Sequence, residues 1–222
     1  MNVKKEYDSR TKYFLKRLSI LNSTYPIPLS IKACNLLINE MNSEKGFTRH
    51  NGQNYYVHPI ALADTALDFG LVQQRWINNK SIDADLIITV CLLHDILEDV
   101  DWITEDYIVN EFGYVAYKLI DNVTKKEKTI ETTEDYLERV ASHEISALVK
   151  ILDRLNNIST LSVSSIDHRH RQLVETKQYY IPLVKNLRHR YITDAAFYWQ
   201  AYTIIVALCN EIERCDKLEY KS

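Results

Sequence analysis

The chain has 222 residues, a length that fits one domain with a full hydrophobic core. Hydrophobic residues make up 46%, charged residues 26%, and the net charge is −3. This balance excludes a disordered chain and disfavours a general nucleic-acid binder, which would carry a basic excess.

The cysteines and the apolar runs bear on the compartment. Cys34 and Cys91 lie in apolar stretches, and neither they nor Cys209 and Cys215 form a CxxC pair. Free thiols in such settings act as small core residues, so a reduced, cytoplasmic compartment is the simpler interpretation. A signal peptide is not expected, because no apolar segment follows a basic start. Membrane contact is not expected either, because the longest apolar run is far shorter than the roughly 20 residues that span a bilayer.

The first third of the chain predicts three helices. An amphipathic opening helix ends at the prolines of residues 25–28, because proline removes backbone donors. Ser30 is expected to cap the second helix. Residues 46–56 form a polar loop, and Pro59 suits the first turn of a third helix that ends at Gly70.

The remaining elements are also predicted to be helices. Residues 71–83 are interpreted as a surface insertion, and Asp83 or Asp85 as the cap of a long apolar helix. A helix is expected over residues 104–113, and a further one follows it and ends at residue 123. The later helices are expected over residues 134–141, 144–155, 167–188 and 194–215. Only four Gly and four Pro occur, and strand-like alternation is nowhere sustained. The sequence therefore predicts an all-α fold in a single domain, 1–222.

A His-Asp pair marks the candidate metal site. His94 and Asp95 follow a strongly apolar run, where unpaired charge would be very costly, and a divalent metal is the most economical partner. His58 and Asp153 occur in similar apolar settings. Two imidazoles and two carboxylates suit Mn²⁺, Fe²⁺, Zn²⁺ or Mg²⁺, and ligand type does not choose among them. For the dipeptide alone, a local hydrogen-bonded pair remains the alternative.

Two more acids follow the pair at helical spacing. Glu98 lies four residues after His94, and Asp99 four residues after Asp95. On one continuous helix, residues four apart share a face. The first two residues could then bind metal while Glu98 and Asp99 reach a water molecule or the leaving group.

Ordered segments of the chain resemble the hydrolase domain of RelA/SpoT-type alarmone enzymes and of small alarmone hydrolases, which are HD metallohydrolases. Residues 92–99 resemble that family's "LLHD..ED" helix, and residues 150–157 its "KLADRLHN" helix. The other similar segments are residues 49–59, with an Arg, a Gly, a Tyr and then His-Pro, residues 111–125, and residues 175–183. The resemblance runs in order from about residue 30 to 185.

The resemblance implies an HD-domain helical bundle with the metal site between its central helices. One Mn²⁺ would be held by His58, His94, Asp95 and Asp153. Glu98 and Asp99 would position or activate water. The nucleotide would be held by Arg49, Asn157 and Thr160, with Lys125, Lys150 and Arg154 as further candidates. The two lysines are alternatively structural charges, and Arg154 alternatively orients its neighbour Asp153.

The implied reaction removes the 3′-diphosphate of guanosine tetra- or pentaphosphate, giving GDP or GTP and pyrophosphate. One alternative is an HD phosphatase or phosphodiesterase for another nucleotide or dinucleotide, and another is a non-catalytic nucleotide-binding module. The family's Lys-Ser after the Arg is His50-Asn51 here, Asn156 replaces a common His, and Ser159 a common Arg. These changes bear on the guanine preference. A synthetase domain is not expected, because the segment after residue 185 is too short to form one.

Two other groups of residues attract notice without entering the site. His168, Arg169, His170 and Arg171 alternate in position, so they do not share one helix face and are interpreted as a solvated surface. The aromatic residues 197–199 are expected to be core or a contact of a homo-oligomer. The expected partner is a small nucleotide, with neither nucleic acid nor membrane.

Overall fold

The computed structural model describes residues 8–49, 52–127 and 129–219, so His50 and Asn51 lie outside the described residues. Regular structure within these ranges is helical, apart from one isolated antiparallel bridge between Thr48 and Asn54. The all-α prediction is confirmed. The chain divides into two compact units, Met1–Tyr117 and Lys118–Ser222, and each is described by itself.

The first unit is a set of helices built around α5. Its described helices are α1 (Ser9–Thr24), α2 (Pro28–Glu40), α3 (Val57–Asp68), α4 (Leu71–Ile77), α5 (Ser81–Leu93), α6 (Ile96–Asp99), α7 (Glu105–Phe112) and the start of α8 (Tyr114–Val123). Every residue of α5 from Ala84 to Leu93 is buried, and α2, α3 and α4 pack against it. A helix that is apolar on all faces is stable only when other helices surround it in this way.

Asp85 caps a different helix from the one predicted. Its carboxylate accepts hydrogen bonds from the backbone N–H groups of Leu29 at 3.0 Å and Ser30 at 2.8 Å, and from the Ser30 hydroxyl. Helix α2 begins at Pro28, and Ile27 before it offers no capping side chain. The free N–H groups of α2 are therefore satisfied by α5. The prediction of Ser30 as the cap of α2 is wrong, and so is that of Asp83 or Asp85 as the cap of α5, because α5 follows Lys80 without a capping side chain.

The segment 71–83 is not simply a surface insertion. Residues 71–77 form α4, whose Leu71, Val72 and Arg75 are buried, and α4 packs on α5. The tip of the segment is exposed, with Ile77 80% accessible. The polar composition of the segment obscured this buried face, because only one side of a short helix needs apolar residues.

The second unit contains the later helices. They are α9 (Thr133–Ala141), α10 (Glu144–Ser159), α11 (Ile166–Glu175), a π-helical turn (Thr176–Tyr180), α12 (Ile181–Arg190) and α13 (Ala195–Glu219). The single helix predicted over 167–188 is thus interrupted by a π-helical turn. Helix α10 is the central element, since most of its residues are buried and it contacts α9 and α13.

Helix α13 is amphipathic along its length. A buried stripe consists of Phe197, Tyr198, Ala201, Ile205, Cys209 and Ile212. By length and composition, the segment Ile192–Asp216 could also cross a membrane, with 33% of its most apolar window buried. Core helices of soluble proteins can have the same length and composition, so these two properties are weak evidence for a membrane span. The stripe bears out the expectation that Phe197 and Tyr198 are core, whereas Trp199 is 50% exposed.

Candidate metal centre

The helix that carries the His-Asp pair breaks at the pair itself. Helix α5 ends at Leu93, and Asp95, with φ −101° and ψ −1°, precedes the single turn of α6. The backbone N–H groups of Glu98 and Asp99 both donate to the Asp95 carbonyl oxygen, at 3.1 and 3.0 Å. The prediction of one continuous helix is wrong here. The spacing of four residues therefore does not determine the orientation of Glu98 and Asp99 relative to His94 and Asp95.

Three of the predicted metal ligands lie together in the first unit. One ligand atom from each of His58, His94 and Asp95 lies within 4.8 Å of the other two. The imidazole centroids are 5.2 Å apart, and both rings are buried, with 4% and 2% of their residues' surface exposed. His58 comes from the first turn of α3, and the other two from the end of α5. Two buried nitrogens and a carboxylate oxygen make a donor set that suits a divalent transition metal.

The hydrogen bonding of His94 fits the role of a ligand. Its Nδ1 lies 2.9 Å from the carbonyl oxygen of Cys91. A carbonyl can only accept, so Nδ1 carries a proton and donates it. A metal-binding histidine is typically held by such a bond through its other nitrogen. Nε2 is the atom that faces the cluster, at 2.9 Å from Asp95 Oδ2. The residues present therefore fit a divalent ion.

Tyr55 belongs to the same cluster, although the sequence did not single it out. Its hydroxyl donates to Asp95 Oδ2 at 2.6 Å, and its ring meets the His58 ring edge-on at 6.0 Å. The available signal was its place three residues before His58, in the first segment of the family resemblance. A Tyr at such a position is easily interpreted as core, because its hydroxyl partner is distant in sequence.

The two acids after the helix break are at least one third exposed, and the carboxyl group of Asp99 has an altered pKa. Partial burial, and then the negative charges of Asp95 and Glu98, raise the pKa of Asp99 to about 6, while His94 acts in the opposite direction. A carboxyl group with a pKa near neutral can both take and release a proton under physiological conditions. Such a shift beside a candidate metal cluster is typical of functional sites.

Asp153, the remaining predicted ligand, lies in the second unit on α10. Its Oδ2 accepts a hydrogen bond from Lys150 Nζ at 3.0 Å, and its Oδ1 accepts one from Asn157 Nδ2 at 2.7 Å. Burial alone would lower the pKa of Lys150, but Asp153 and the hydroxyls of Tyr180 and Tyr136 raise it well above its usual value. Lys150 is therefore a buried cation that orients Asp153, which favours the structural interpretation of this lysine.

Arg154 is enclosed by side chains of the second unit. Its guanidinium lies 3.7 Å from the Tyr180 ring centroid, 3.1 Å from Glu175 Oε2 and 2.7 Å from Gln172 Oε1. These contacts are with α11 and the π-helical turn, and the alternative in which Arg154 orients Asp153 stays a prediction. Lys125, which is more exposed, lies 3.8 Å from Glu175 Oε1.

The other predicted nucleotide-binding residues lie at element ends. In the first unit, the backbone N–H of Arg49 donates to Gln53 at 2.8 Å, and its carbonyl accepts from Gly52 at 2.8 Å. These two bonds hold the backbone of a half-buried arginine in the segment that precedes α3. In the second unit, Thr160 follows the last turn of α10, where its hydroxyl donates to the Asn156 carbonyl at 3.1 Å.

Comparison with known families gives one clear match. The model of the HD domain matches residues 55–177, which is more than half of the chain. The match includes all four predicted metal ligands and the Glu98-Asp99 pair.

Three curated relatives are 27–33% identical to this chain over the segments that align. A guanosine-3′,5′-bis(diphosphate) 3′-pyrophosphohydrolase of Haemophilus influenzae is 27% identical over 161 residues, covering 68% of this chain and 22% of the relative. The protein of the same name from Aquifex aeolicus is 33% identical, covering 63% and 19%. A GTP pyrophosphokinase of Streptomyces coelicolor is 28% identical, covering 75% and 20%. The chain thus spans about a fifth of the length of these relatives.

A solved structure shares the fold. It is described as "A metazoan ortholog of SpoT hydrolyzes ppGpp and plays a role in starvation responses", and it matches with a TM-score of 0.59 at 20% identity. The match covers 84% of this chain and 97% of that one. At this identity the likeness shows the fold alone. Together with the curated relatives, it confirms the resemblance found in the sequence.

Proposed function

The chain belongs to the HD-domain family, and we propose that it removes the 3′-diphosphate from guanosine tetra- or pentaphosphate, releasing pyrophosphate and GDP or GTP. The convergence of His58, His94 and Asp95 carries the proposal, because a buried cluster of these residue types suits a divalent ion. The names of the similar curated pyrophosphohydrolases support the substrate class.

We propose Mn²⁺ as the ion, held by His58, His94, Asp95 and Asp153. When bound, such an ion polarises a phosphoryl oxygen and lowers the pKa of water, so that a nucleophile is available at neutral pH. The mixed nitrogen and oxygen donors support a divalent transition metal. The choice of manganese, and the inclusion of Asp153, rest on the family resemblance.

The acids of α6 are proposed to handle the proton. Asp99, whose carboxyl pKa is raised to about 6 in the metal-free protein, is proposed to accept the proton of the attacking water at a carboxylate oxygen. The negative charge of Glu98 beside it helps to keep that pKa high. A base whose pKa lies close to the working pH binds the proton more strongly than an ordinary aspartate would.

The nucleotide is proposed to be held by Arg49, Asn157 and Thr160. The guanidinium of Arg49 can stack on a base or fork onto a phosphate, and a lysine reproduces neither geometry. Asn157 also donates to Asp153, so it would orient a ligand and contact the substrate from one side chain. Weaker candidates for substrate contacts are Lys125, Lys150 and Arg154.

The proposed setting is a cytoplasmic enzyme that acts on a small nucleotide, without a nucleic-acid or membrane partner. The exposed part of α13, where Trp199 and Ile204 are 50% and 40% accessible, is the proposed contact surface of a homo-oligomer.

A nucleotide panel with Mn²⁺ tests the reaction. Guanosine and adenosine 3′,5′-bis(diphosphates), mononucleotides and a dinucleotide are compared, and released pyrophosphate is measured separately from phosphate. We expect pyrophosphate from the 3′-diphosphorylated guanosine, with Asp95→Ala as the inactive control. Phosphate from the other substrates would point to another HD phosphatase, and binding without turnover to a non-catalytic module. Equal rates on the two bis(diphosphates) would end the guanine preference alone.

A further inference from the structure

Tyr55 joins two ligand-bearing parts of the candidate metal centre. Its hydroxyl reaches Asp95 Oδ2 at 2.6 Å, across 40 positions of sequence. We propose that Tyr55 is the positioning residue of the centre, which fixes the carboxylate of Asp95 in the orientation that binds a divalent cation. The inference rests on the proposed metal site and deepens it.

The environment of Asp95 explains why its carboxylate needs an external partner. Asp95 stands at the break between α5 and α6 and makes no capping hydrogen bond to the N–H groups of α6. Its side chain is 21% exposed, so packing covers the carboxylate only in part. Oδ2, the oxygen bound by Tyr55, is also the one that lies 2.9 Å from His94 Nε2. The tyrosine therefore holds the oxygen that faces the cluster.

Tyr55 is itself anchored by the segment that places His58. Its backbone N–H donates to the Phe47 carbonyl at 3.1 Å, and its own carbonyl accepts from the His58 N–H at 3.0 Å. One residue thus sets two ligands, His58 through the backbone and Asp95 through the hydroxyl. A displacement of Tyr55 would change the distance between them.

The chemistry of the phenol suits this role. A neutral O–H donor fixes the carboxylate without adding charge. Removing such a partner of a metal ligand typically weakens metal binding by about 10–100-fold.

The substitution Tyr55→Phe tests the proposal, because it removes only the hydroxyl. We expect the metal-free full-length variant to bind Mn²⁺ about 10-fold or more weakly than the wild type in calorimetric titrations. Its metal-free melting temperature should stay close to that of the wild type. The matched control is Tyr56→Phe, which removes a neighbouring hydroxyl that accepts from Asn54 Nδ2 at 3.2 Å, outside the cluster. That variant should keep wild-type affinity for Mn²⁺.

A second pair of variants separates positioning from general stability. In an Asp95→Asn background, Tyr55→Phe should cause little further loss of affinity, because the hydroxyl acts through the Asp95 carboxylate. An equal loss in both backgrounds, or unchanged affinity in Tyr55→Phe alone, would overturn the inference and leave the proposed function standing. A wild-type protein that binds no divalent metal would overturn both.

Discussion

The carboxyl group of Asp99, a candidate for proton transfer, has a pKa shift that affects the stability of the fold. Partial burial and the charges of Asp95 and Glu98 raise its pKa to about 6, whereas the pKa of an Asp in an unfolded chain is about 4. The folded protein therefore binds this proton more tightly than the unfolded chain does. The contribution of Asp99 to stability is complete below pH about 4 and is lost as the pH rises through about 6.

The substitution Asp99→Asn should accordingly stabilise the metal-free protein at high pH. An amide of the same shape cannot ionise, so we expect a higher melting temperature than wild type at pH 8 and a much smaller difference at pH 4. Calorimetry in the presence of a chelator measures both. The exposed neighbour Asp101 supplies the control Asp101→Asn. A gain of the same size at both pH values would show that ionisation of Asp99 is not its cause.

Among the helices, α2 and α5 depend on each other through a single carboxylate. Asp85, which is buried on α5, satisfies two backbone N–H groups at the start of α2. Donors left unsatisfied in a buried position are costly, so this contact stabilises the pair of helices more than an exposed cap would.

The substitution Asp85→Ala should lower the free energy of unfolding by about 2–4 kcal/mol, because it strands those donors. Asp83→Ala is the matched control. Asp83 is in the first turn of the same helix, but its carboxylate lies 4.0 Å from the ammonium group of the exposed Lys80. An exposed ion pair at this distance contributes little to stability. Urea denaturation of both variants gives the comparison. Equal losses for the two variants would contradict the account of α2.

The elements show which features the sequence could predict. The all-α fold followed from helical periodicity and few turn residues, and α5 from its uninterrupted apolar run. The break at Asp95 could not be predicted, because neither Gly nor Pro marks it. The cap by Asp85 and the buried face of α4 depend on contacts between distant segments, which local patterns do not encode.

The candidate site was predictable to a similar extent. His58, His94 and Asp95 were found because imidazoles and carboxylates in apolar runs need partners. The bonds of Asp153 with Lys150 and Asn157 follow helical spacing of three and four residues, a signal that was present in the sequence. The hydrogen bond from Tyr55 to Asp95 joins residues 40 positions apart, so no local sequence pattern predicts it.

For the whole molecule, the HD-domain match runs through both compact units, from residue 55 to residue 177. The first unit contains His58, His94 and Asp95, and the second contains Asp153. The organisation as a single domain stays a prediction. The chain spans only about a fifth of the length of its curated relatives, so its activity is a proposal. That proposal rests on the cluster of His58, His94 and Asp95 and, for the substrate class, on the names of those relatives.

The most direct test of the account measures pyrophosphate release from guanosine 3′,5′-bis(diphosphate) with Mn²⁺, in the wild type and in the double variant Glu98→Gln, Asp99→Asn. The double variant keeps the shapes of both side chains but cannot accept the proton. We expect turnover to fall by roughly 10²-fold or more, with Mn²⁺ content and substrate affinity largely retained. Turnover in the double variant equal to that of the wild type, or no pyrophosphate from the wild type, would contradict the account.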